Sequence, residues 1–427
     1  MNIQTDRAFV PAGTATVRYL TVTITAPARE RHTDRPVAHV ALVLDRSGSM
    51  AGRKLHMAKK AVEHAVRLLN DRDRLALVCY DNEIDTLLAA TQATAEAKTL
   101  ALSRLRATDA RGSTDLCGGW LKGASEIGSS EPANSAAVTR VLLLSDGLAN
   151  CGEQDPDALA RHAADLRARG IATSTFGLGA DFDETLMSRL ATEGGGHFYF
   201  IEQPAQIPDF FTSELGEALD VVARDARLVL GGDDTVQVRC LNDLPFEIRR
   251  GEPGAAHVAH VRLGDLVSGQ QTTLVVAVQC PALAEGERAV VTLRLADRDG
   301  VLFAQPMPVE WLATSADPDA AQPVNTDVLV EVAKHLAERA RADARDANRH
   351  GDFDAAKNML TTTAEALRAL APGVREVEAL AAELEAERED FSARLDALAL
   401  KKQHFASYNV AYSRSTEGKA KRQPPAS

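Results

Sequence analysis

Near-continuous apolar runs recur along the first half of this 427-residue chain, at 37–44, 74–80 and 138–144. A run without polar alternation is typical of a strand that is buried on both faces of a parallel sheet. Helical periodicity separates the runs, with apolar residues at Leu55, Ala58, Val62, Ala65 and Leu69. Strands that alternate with helices predict a doubly wound α/β domain over residues 36–222.

Two later helices are predicted in this domain, the first from the residues at its ends and the second from its apolar face. Asp155 suits an N-cap, Pro156 the first helical turn and Gly170 a C-terminal stop. A second helix is predicted over 208–222, where one face carries Phe211, Leu215, Leu219 and Val222.

The region 223–315 has a different pattern, in which short alternating runs are separated by turn residues. This pattern predicts a β-sandwich. The N-terminal region 1–35 contains one further alternating strand at 15–25, which is not stable in isolation. We expect this strand to join the sandwich, so that the α/β domain is inserted in a β domain. The alternative is an extra edge strand on the α/β sheet.

The C-terminal part is rich in Ala, Glu and Arg, which predicts a helical hairpin or bundle over 325–404. Breaks at 350–352 and at Pro372-Gly373 divide it into three helices, at 326–349, 353–370 and 374–404. The remaining residues, 405–427, are predicted to form a flexible basic tail. The expected fold class is therefore multi-domain, α/β plus β plus α.

Charge and composition exclude several classes of function. The formal net charge is -12, which disfavours nucleic acid and anionic membranes as partners. The five cysteines include no CxxC pair, so neither a disulfide framework nor a zinc site is expected. No secretory start and no apolar run of bilayer length is found, and we expect a cytoplasmic protein.

Oxygen-bearing side chains follow the ends of the predicted strands. Asp45, Ser47 and Ser49 come directly after the first buried strand, Thr114 precedes a helix, and Asp146 follows the third strand. Carboxyl ends of parallel strands share one edge of a sheet, where open α/β folds bind ligands. Carboxylates and hydroxyls are hard ligands, so the pattern predicts a site for Mg²⁺, with Mn²⁺ and Ca²⁺ also accepted.

The order Asp45-x-Ser47-x-Ser49, then Thr114, then Asp146 resembles the metal-ion-dependent adhesion site of von Willebrand factor type A domains. The resemblance covers about 36–222, and the multi-domain layout is similar to that of intracellular bacterial members. It implies that the three hydroxyls contact the metal directly. It also implies that the two carboxylates act largely through water.

Three functions remain open at this point. In the first, the metal grips an acidic side chain of a partner protein, and the chain is a scaffold without enzymatic activity. The second is a Mg²⁺-dependent hydrolase, although no nucleophile or base with a supporting triad is found. The third is a subunit of an AAA+ ATPase machine. Family analogy also implies kinase or phosphatase partners in signalling or stress-response assemblies.

Overall fold

The computed structural model describes residues 1–29, 35–128, 137–232, 235–249, 258–302, 305–315 and 322–423. The chain divides into two units, and the second is a continuous insertion in the first. The first unit comprises Met1–Pro27 and Ala223–Ser427, and the second comprises Ala28–Val222.

In chain order the strands are β1 (Asn2–Thr5), β2 (Phe9–Pro11), β3 (Thr16–Thr25), β4 (Ala38–Asp45), β5 (Arg74–Tyr80), β6 (Ile84–Gln92), β7 (Val138–Ser145), β8 (Ile171–Leu178), β9 (Gly195–Ile201), β10 (Val221–Gly232), β11 (Gln237–Cys240), β12 (Phe246–Arg249), β13 (Val258–Val267), β14 (Gln271–Cys280), β15 (Arg288–Ala296) and β16 (Met307–Thr314). The helices are α1 (Arg53–Leu68), α2 (Ala95–Arg106), α3 (Leu116–Gly128), α4 (Pro156–Ala168), α5 (Glu184–Gly194), α6 (Ile207–Ala218), α7 (Thr326–Arg349), α8 (Phe353–Leu370), α9 (Arg375–Glu387) and α10 (Ala397–Ala411).

The inserted unit is an α/β domain with one six-stranded sheet in the order β6-β5-β4-β7-β8-β9. Strand β6 is antiparallel to β5, and the other pairings are parallel. Every residue of β4 and of β8 is buried, as the apolar run predicted for the first of them requires. Strand β4 lies between β5 and β7, so the carboxyl ends of these three strands meet at one edge.

Helix α3 approaches the sheet closely because it carries glycines on the face that packs against the strands. A Cβ added to Gly119 would collide with the ring of Tyr80, and one added to Gly123 would collide with Val43. Helix α3 therefore packs directly against β4 and β5. This packing brings the residues just before α3, Thr114 among them, to the carboxyl edge of the sheet.

The helix predicted over 208–222 ends earlier than the sequence indicated. Helix α6 stops at Ala218, and β10 begins at Val221. The prediction was wrong for the last residues because Val221 and Val222 fit a strand as well as a helix face. Strand pairing favours the strand over the helix, because β10 lies between β13 and β15 in a sheet of the first unit.

The described residues of the first unit form two sheets: an antiparallel one in the order β1-β3-β14-β11, and a mixed one in the order β12-β13-β10-β15-β16-β2, where β16 and β2 are parallel. Strand β3 pairs with β14 along its whole length, from Thr16 opposite Cys280 to Thr25 opposite Gln271. The N-terminal strand thus joins the later β region rather than the α/β sheet.

The helical region follows the predicted boundaries for α7 and α8, but the third predicted helix, 374–404, is divided in two. Helix α9 ends at Glu387, and α10 begins at Ala397, where Asp396 accepts from the N–H of Ala399. Phe391 is fully buried in the break. The Asn348 carboxamide also bonds the chain there, so burial and hydrogen bonding outweigh helix propensity.

The prediction of a flexible tail over 405–427 was wrong up to residue 423, and the last four residues lie outside the described part. The chain after α10 packs on β14. The Ser413 hydroxyl accepts from the N–H of Thr273, and the N–H of Gln271 donates to the Lys421 carbonyl. Arg414 is buried and donates to the Gly418 carbonyl. Among the described helices, none is long and apolar enough to span a bilayer.

Candidate metal centre

The five predicted ligands come together at the carboxyl edge of the α/β sheet. Asp45 ends β4, and Asp146 follows β7, which pairs with β4 in register up to Leu44 and Leu144. The side chains of four of the five are buried, and the exposed member is Ser49. The cluster is therefore enclosed by protein and opens to solvent at Ser49.

Hydrogen bonds connect the hydroxyls and the carboxylates of the cluster. The Ser47 and Ser49 hydroxyls lie 3.1 Å apart, and Ser49 Oγ donates to Asp146 Oδ1 at 2.7 Å. On the other side, Asp45 Oδ1 accepts from the N–H of Ser47 and Asp45 Oδ2 from Ser145 Oγ, both at 2.7 Å. These contacts fix both carboxylates before any ligand is considered.

Thr114 faces the same space as the serines. A Cβ added to Gly147 would lie 3.6 Å from both Ser49 Oγ and Thr114 Oγ1, so these two hydroxyls flank one point. The Thr114 backbone is held by the loop after β7: its N–H donates to Asn150 Oδ1 at 2.8 Å, and its carbonyl accepts from the N–H of Asn150 at 3.1 Å. The structure thus brings all five predicted residues together.

A salt-bridge network that the sequence did not reveal ties the loops of the site to one another. Arg46 lies between two predicted ligands, and its Nε donates to Asp81 Oδ2 at 2.8 Å. Arg111 donates to the same oxygen at 2.8 Å. The N–H of Asp115, next to Thr114, donates to the Asp81 carbonyl at 2.8 Å. Asp81 therefore joins the loop after β4 to the loop before α3.

A second residue that sequence reasoning missed is Lys54, in the first turn of α1. Its ammonium contacts Asp146 Oδ2 directly. The sequence feature that could have indicated Lys54 is its position shortly after Ser49, which places the lysine within reach of the carboxyl edge of the sheet. The pattern of hydroxyls and carboxylates gave no reason to include a cation.

Burial changes the acidity of one carboxylate of the site. It raises the pKa of Asp45 from 3.8 to about 6, because the charged form loses water inside the protein. Hydrogen bonds from Ser145 and Ser47 lower this pKa in part, and the nearby charge of Asp146 raises it. A cation between the two carboxylates would relieve both the burial cost and the repulsion.

The donor set fits a hard divalent cation. Three hydroxyls and two carboxylates converge, and oxygen donors of this kind are the ligands of Mg²⁺, Mn²⁺ and Ca²⁺. Burial raises the pKa of Asp45, and the charge of Asp146 adds to the shift, so a cation beside these carboxylates would favour the ionised form. Ser47, Ser49 and Thr114 would supply neutral donors, while Asp45 and Asp146 would supply the charge.

A second group of potential ligands lies inside the same domain, formed by His197, Glu214 and Glu217. Its central carboxylate, Glu214, already accepts from Arg140 at 2.8 Å and from the Tyr199 hydroxyl at 2.6 Å. A paired guanidinium at the carboxylate opposes the binding of a metal cation. We interpret this group as a buried structural network that joins α6 to the sheet.

The family follows from comparison with known proteins. The family profile described as von Willebrand factor type A domain matches residues 39–213. These residues form a type A domain. Type A domains commonly hold a divalent metal at a metal-ion-dependent adhesion site and use it in protein interactions.

Bacterial relatives extend the likeness beyond the type A domain. An uncharacterised Synechocystis protein, sll0103, is 24% identical over 360 residues, which is 82% of each chain. An uncharacterised Escherichia coli protein, YfbK, is 25% identical over 250 residues, or 58% of this chain. The present chain covers 43% of the length of the E. coli protein.

Solved structures show a similar fold over nearly the whole chain. A von Willebrand factor type A protein from Catenulispora acidiphila is 18% identical, with a TM-score of 0.69, and covers 99% of this chain and 97% of its own. The ArnB paralog VWA2 from Sulfolobus acidocaldarius is 16% identical, with a TM-score of 0.58, over 94% and 97% of the two chains. At these identities the likeness concerns the fold alone.

Proposed function

We propose that the type A domain holds Mg²⁺ at Asp45, Ser47, Ser49, Thr114 and Asp146, and that the metal grips an acidic side chain of a partner protein. Mg²⁺ takes six oxygens, and Mn²⁺ or Ca²⁺ accepts the same donors. Hydroxyl ligands leave the metal electron-poor. A partner carboxylate therefore completes its coordination favourably.

One observation carries this proposal, namely the continuous chain of contacts from Ser47 through Ser49 to Asp146, which is open to solvent at Ser49. The protein side of the site is built from three elements and is buried. A ligand from outside the protein could reach the site from the solvent side, at Ser49. This asymmetry suits the binding of a protruding side chain.

We propose a binding module rather than a hydrolase. A metal-dependent hydrolase of phosphate esters needs a clamp of several cations near the metal, whereas Lys54 supplies a single charge beside Asp146. The arginines nearest the site have carboxylate partners: Arg46 pairs with Asp81, and Arg111 pairs with Asp81 and Glu83. Paired in this way, they hold the loops together and are not presented to a substrate.

The architectural part of the proposal is a β-sandwich in the first unit, with the type A domain inserted in it. Support comes from the burial of β3 and β14. Their Val275 side packs against Val328 and Val332 of α7. The opposite side, with Leu20 and Val22 of β3, is also fully buried and needs a second layer. We propose that the other sheet of this unit is that layer.

We place the protein in the cytoplasm, within a signalling or stress-response assembly. The partner is a protein that offers an exposed Asp or Glu, and a kinase, a phosphatase or a separate AAA+ ATPase would meet that requirement. The support is the family analogy together with the acidic net charge, which disfavours nucleic acid and anionic membranes.

The test is affinity purification from native cell extract with mass spectrometry. Wild type in Mg²⁺, wild type in EDTA and Asp146→Ala in Mg²⁺ are compared. Asp71→Ala is the matched control, because this exposed aspartate precedes β5 at the opposite edge of the sheet. We expect a partner that is retained by wild type and by Asp71→Ala in Mg²⁺ and lost in the other two samples. Identical partners in all samples would overturn the proposal.

A further inference from the structure

The contact between Lys54 and Asp146 places a fixed cation inside the proposed metal centre. Lys54 Nζ contacts Asp146 Oδ2, while Oδ1 of the same carboxylate accepts from Ser49 at 2.7 Å. A Cβ added to Gly179 would lie 4.0 Å from Lys54 Nζ. The ammonium therefore lies between the loops that follow β7 and β8, beside the site rather than out in solvent.

Local structure gives no reason for a lysine at this position. The N-terminus of a helix carries partial positive charge, so cations are unfavourable in its first turn. Helix α1 nevertheless begins with Arg53 and Lys54, has no acidic residue in its first turn and has Gly52 as a cap without a side chain. A lysine that is unfavourable for the helix and brings it no compensating contact indicates a functional reason for the residue.

The charge sum at the site supplies that reason. The carboxylates of Asp45 and Asp146 carry two negative charges, and Lys54 carries one positive charge. A divalent cation changes the sum from one net negative charge to one net positive charge. One carboxylate from a partner then brings it to zero. Without Lys54, the loaded centre would be neutral before the partner arrives.

We propose that Lys54 is a specificity-determining residue of the metal centre, which weakens the binding of the divalent cation and strengthens the binding of a partner carboxylate to the loaded centre. The inference rests on the proposed function. Both effects have the same origin, since the ammonium repels the metal cation and attracts the partner anion. Lys54 is thus the residue that makes the loaded centre select an anion.

The proposal predicts opposite changes in two affinities for one substitution. Lys54→Met removes the charge and keeps most of the side-chain length, and Lys54→Arg keeps the charge. Lys60→Met is the matched control, because Lys60 is exposed on the same helix, six residues further along. Titration calorimetry with Mn²⁺ alone measures the first affinity.

The second affinity is measured on Mn²⁺-loaded protein with the blocked peptide acetyl-Gly-Asp-Gly-amide, against the same peptide with Asn. Water-proton relaxation reports the displacement of metal-bound water. For Lys54→Met we expect Mn²⁺ binding on the order of tenfold tighter and Asp-peptide binding on the order of tenfold weaker, the size of a screened charge contact. Lys54→Arg and Lys60→Met should match wild type.

The outcomes separate the two proposals. If Lys54→Met leaves both affinities unchanged, or weakens both, the inference about Lys54 is overturned while the metal centre stands. If wild type does not bind Mn²⁺, binds it as well after Asp146→Ala, or does not bind the Asp peptide when loaded, the proposed function fails and takes this inference with it. Opposite changes, reduced at high salt, support the inference.

Discussion

At the scale of single residues, the two carboxylates of the centre have different surroundings. Asp45 is held by two hydrogen bonds from hydroxyl and amide groups, whereas Asp146 has a hydroxyl on one oxygen and the Lys54 ammonium on the other. Burial raises the pKa of Asp45 to about 6. Asp45 is therefore the group whose protonation competes with a metal in mildly acidic solution.

The first prediction concerns pH. Metal binding requires the ionised carboxylate, so Mn²⁺ affinity should be about tenfold lower at pH 5 than at pH 7 for a carboxyl with a pKa near 6. Calorimetry at several pH values measures this. Asp45→Asn should bind weakly at every pH, without this dependence. A flat affinity between pH 5 and pH 7 in wild type would contradict the prediction.

The same group predicts the reverse trend for stability in EDTA. Its folded pKa lies above the ordinary value of 3.8, so the folded state holds the proton more tightly than the unfolded state. The contribution of Asp45 to stability is therefore lost as pH rises from about 4 to about 6. Urea unfolding in EDTA, wild type against Asp45→Asn, checks this sign.

The second prediction concerns a hydroxyl ligand. Thr114→Val keeps the shape of the side chain and removes its oxygen, so Mn²⁺ affinity should fall on the order of tenfold or more, with little change in the unfolding midpoint in EDTA. Ser113→Ala is the neighbouring control, because Ser113 is exposed. Equal metal affinity in both variants would remove Thr114 from the ligand set.

The sequence predicted that the five proposed ligands lie together, because each is tied to the end of a strand or the start of a helix. It did not predict Arg46 and Lys54 as part of the site. Their roles depend on the partners Asp81, Asp85 and Asp146, which are brought near only by the fold. Spacing along the chain carries no information about such pairs.

At the scale of elements, the glycines near β9 show how backbone packing fixes the sheet. A Cβ added to Gly196 would collide with the carbonyl of Thr173 and with the Ser174 hydroxyl. The first of these is backbone of β8 and cannot move aside. At Gly196, β9 therefore lies so close to β8 that a side chain would not fit.

The third prediction follows from this contact. Gly196→Ala should lower the free energy of unfolding by about 2 kcal/mol or more, because the strand pair must separate to fit the methyl group. Gly216→Ala, on α6 with no atom near its added Cβ, is the control. It should stabilise by about 0.5–1 kcal/mol through helix propensity. Equal effects in chemical denaturation would contradict this.

The segment after α10 also acts as an element of the fold. The side chain of Asn242 donates to the Thr273 and Ala411 carbonyls at 3.1 and 3.0 Å and accepts from the N–H of Val275 at 2.8 Å. The Ser413 hydroxyl bonds Thr273 from the C-terminal side. The end of the chain thus completes hydrogen bonds along β14.

The fourth prediction is that truncation after Ala411 destabilises the first unit, whereas truncation after Gln423 does not. The longer deletion leaves the N–H groups of Gln271 and Thr273 without their present acceptors. Hydrogen exchange should show lost protection in β14 and unchanged protection in β4 and β7. Normal protection in β14 after the longer deletion would contradict this.

The sequence predicted the bounds of a helix well where residues at its two ends mark them. Asp155 caps α4 through the N–H groups of Asp157 and Ala158, Pro156 begins the helix, and Gly170 after its end has a φ of 87°. The boundary between α6 and β10 and the path of the C-terminal segment were not predicted. Both depend on pairing with strands that are distant in sequence, which local periodicity does not encode.

At the scale of the whole molecule, the five proposed metal ligands all belong to the inserted unit, Ala28–Val222. Any ligand that binds the folded unit and not the unfolded chain stabilises that unit. The first unit contributes none of the five side chains. Metal binding should therefore act on the stability of one part of the chain.

The fifth prediction is a metal-dependent increase in the stability of the inserted unit. Free Mg²⁺ at a hundred times its Kd should add about 2.7 kcal/mol to the unfolding free energy of this unit. Hydrogen exchange should show greater protection at 45–50 and 145–151, and none of the gain in β14. Asp146→Ala should abolish the gain. Equal protection with Mg²⁺ and with EDTA in wild type would contradict the prediction.

The pairing of β3 with β14 has a consequence for synthesis on the ribosome. Strand β3 leaves the ribosome early, but its partner is translated about 250 residues later, a wait of roughly 10–50 s at ordinary translation rates. The complete α/β domain emerges in that interval and has time to fold. The nascent chain therefore holds one finished domain while β3 has only its N-terminal neighbour β1 and lacks β14 on its other edge, and in this interval the chain has most need of a chaperone.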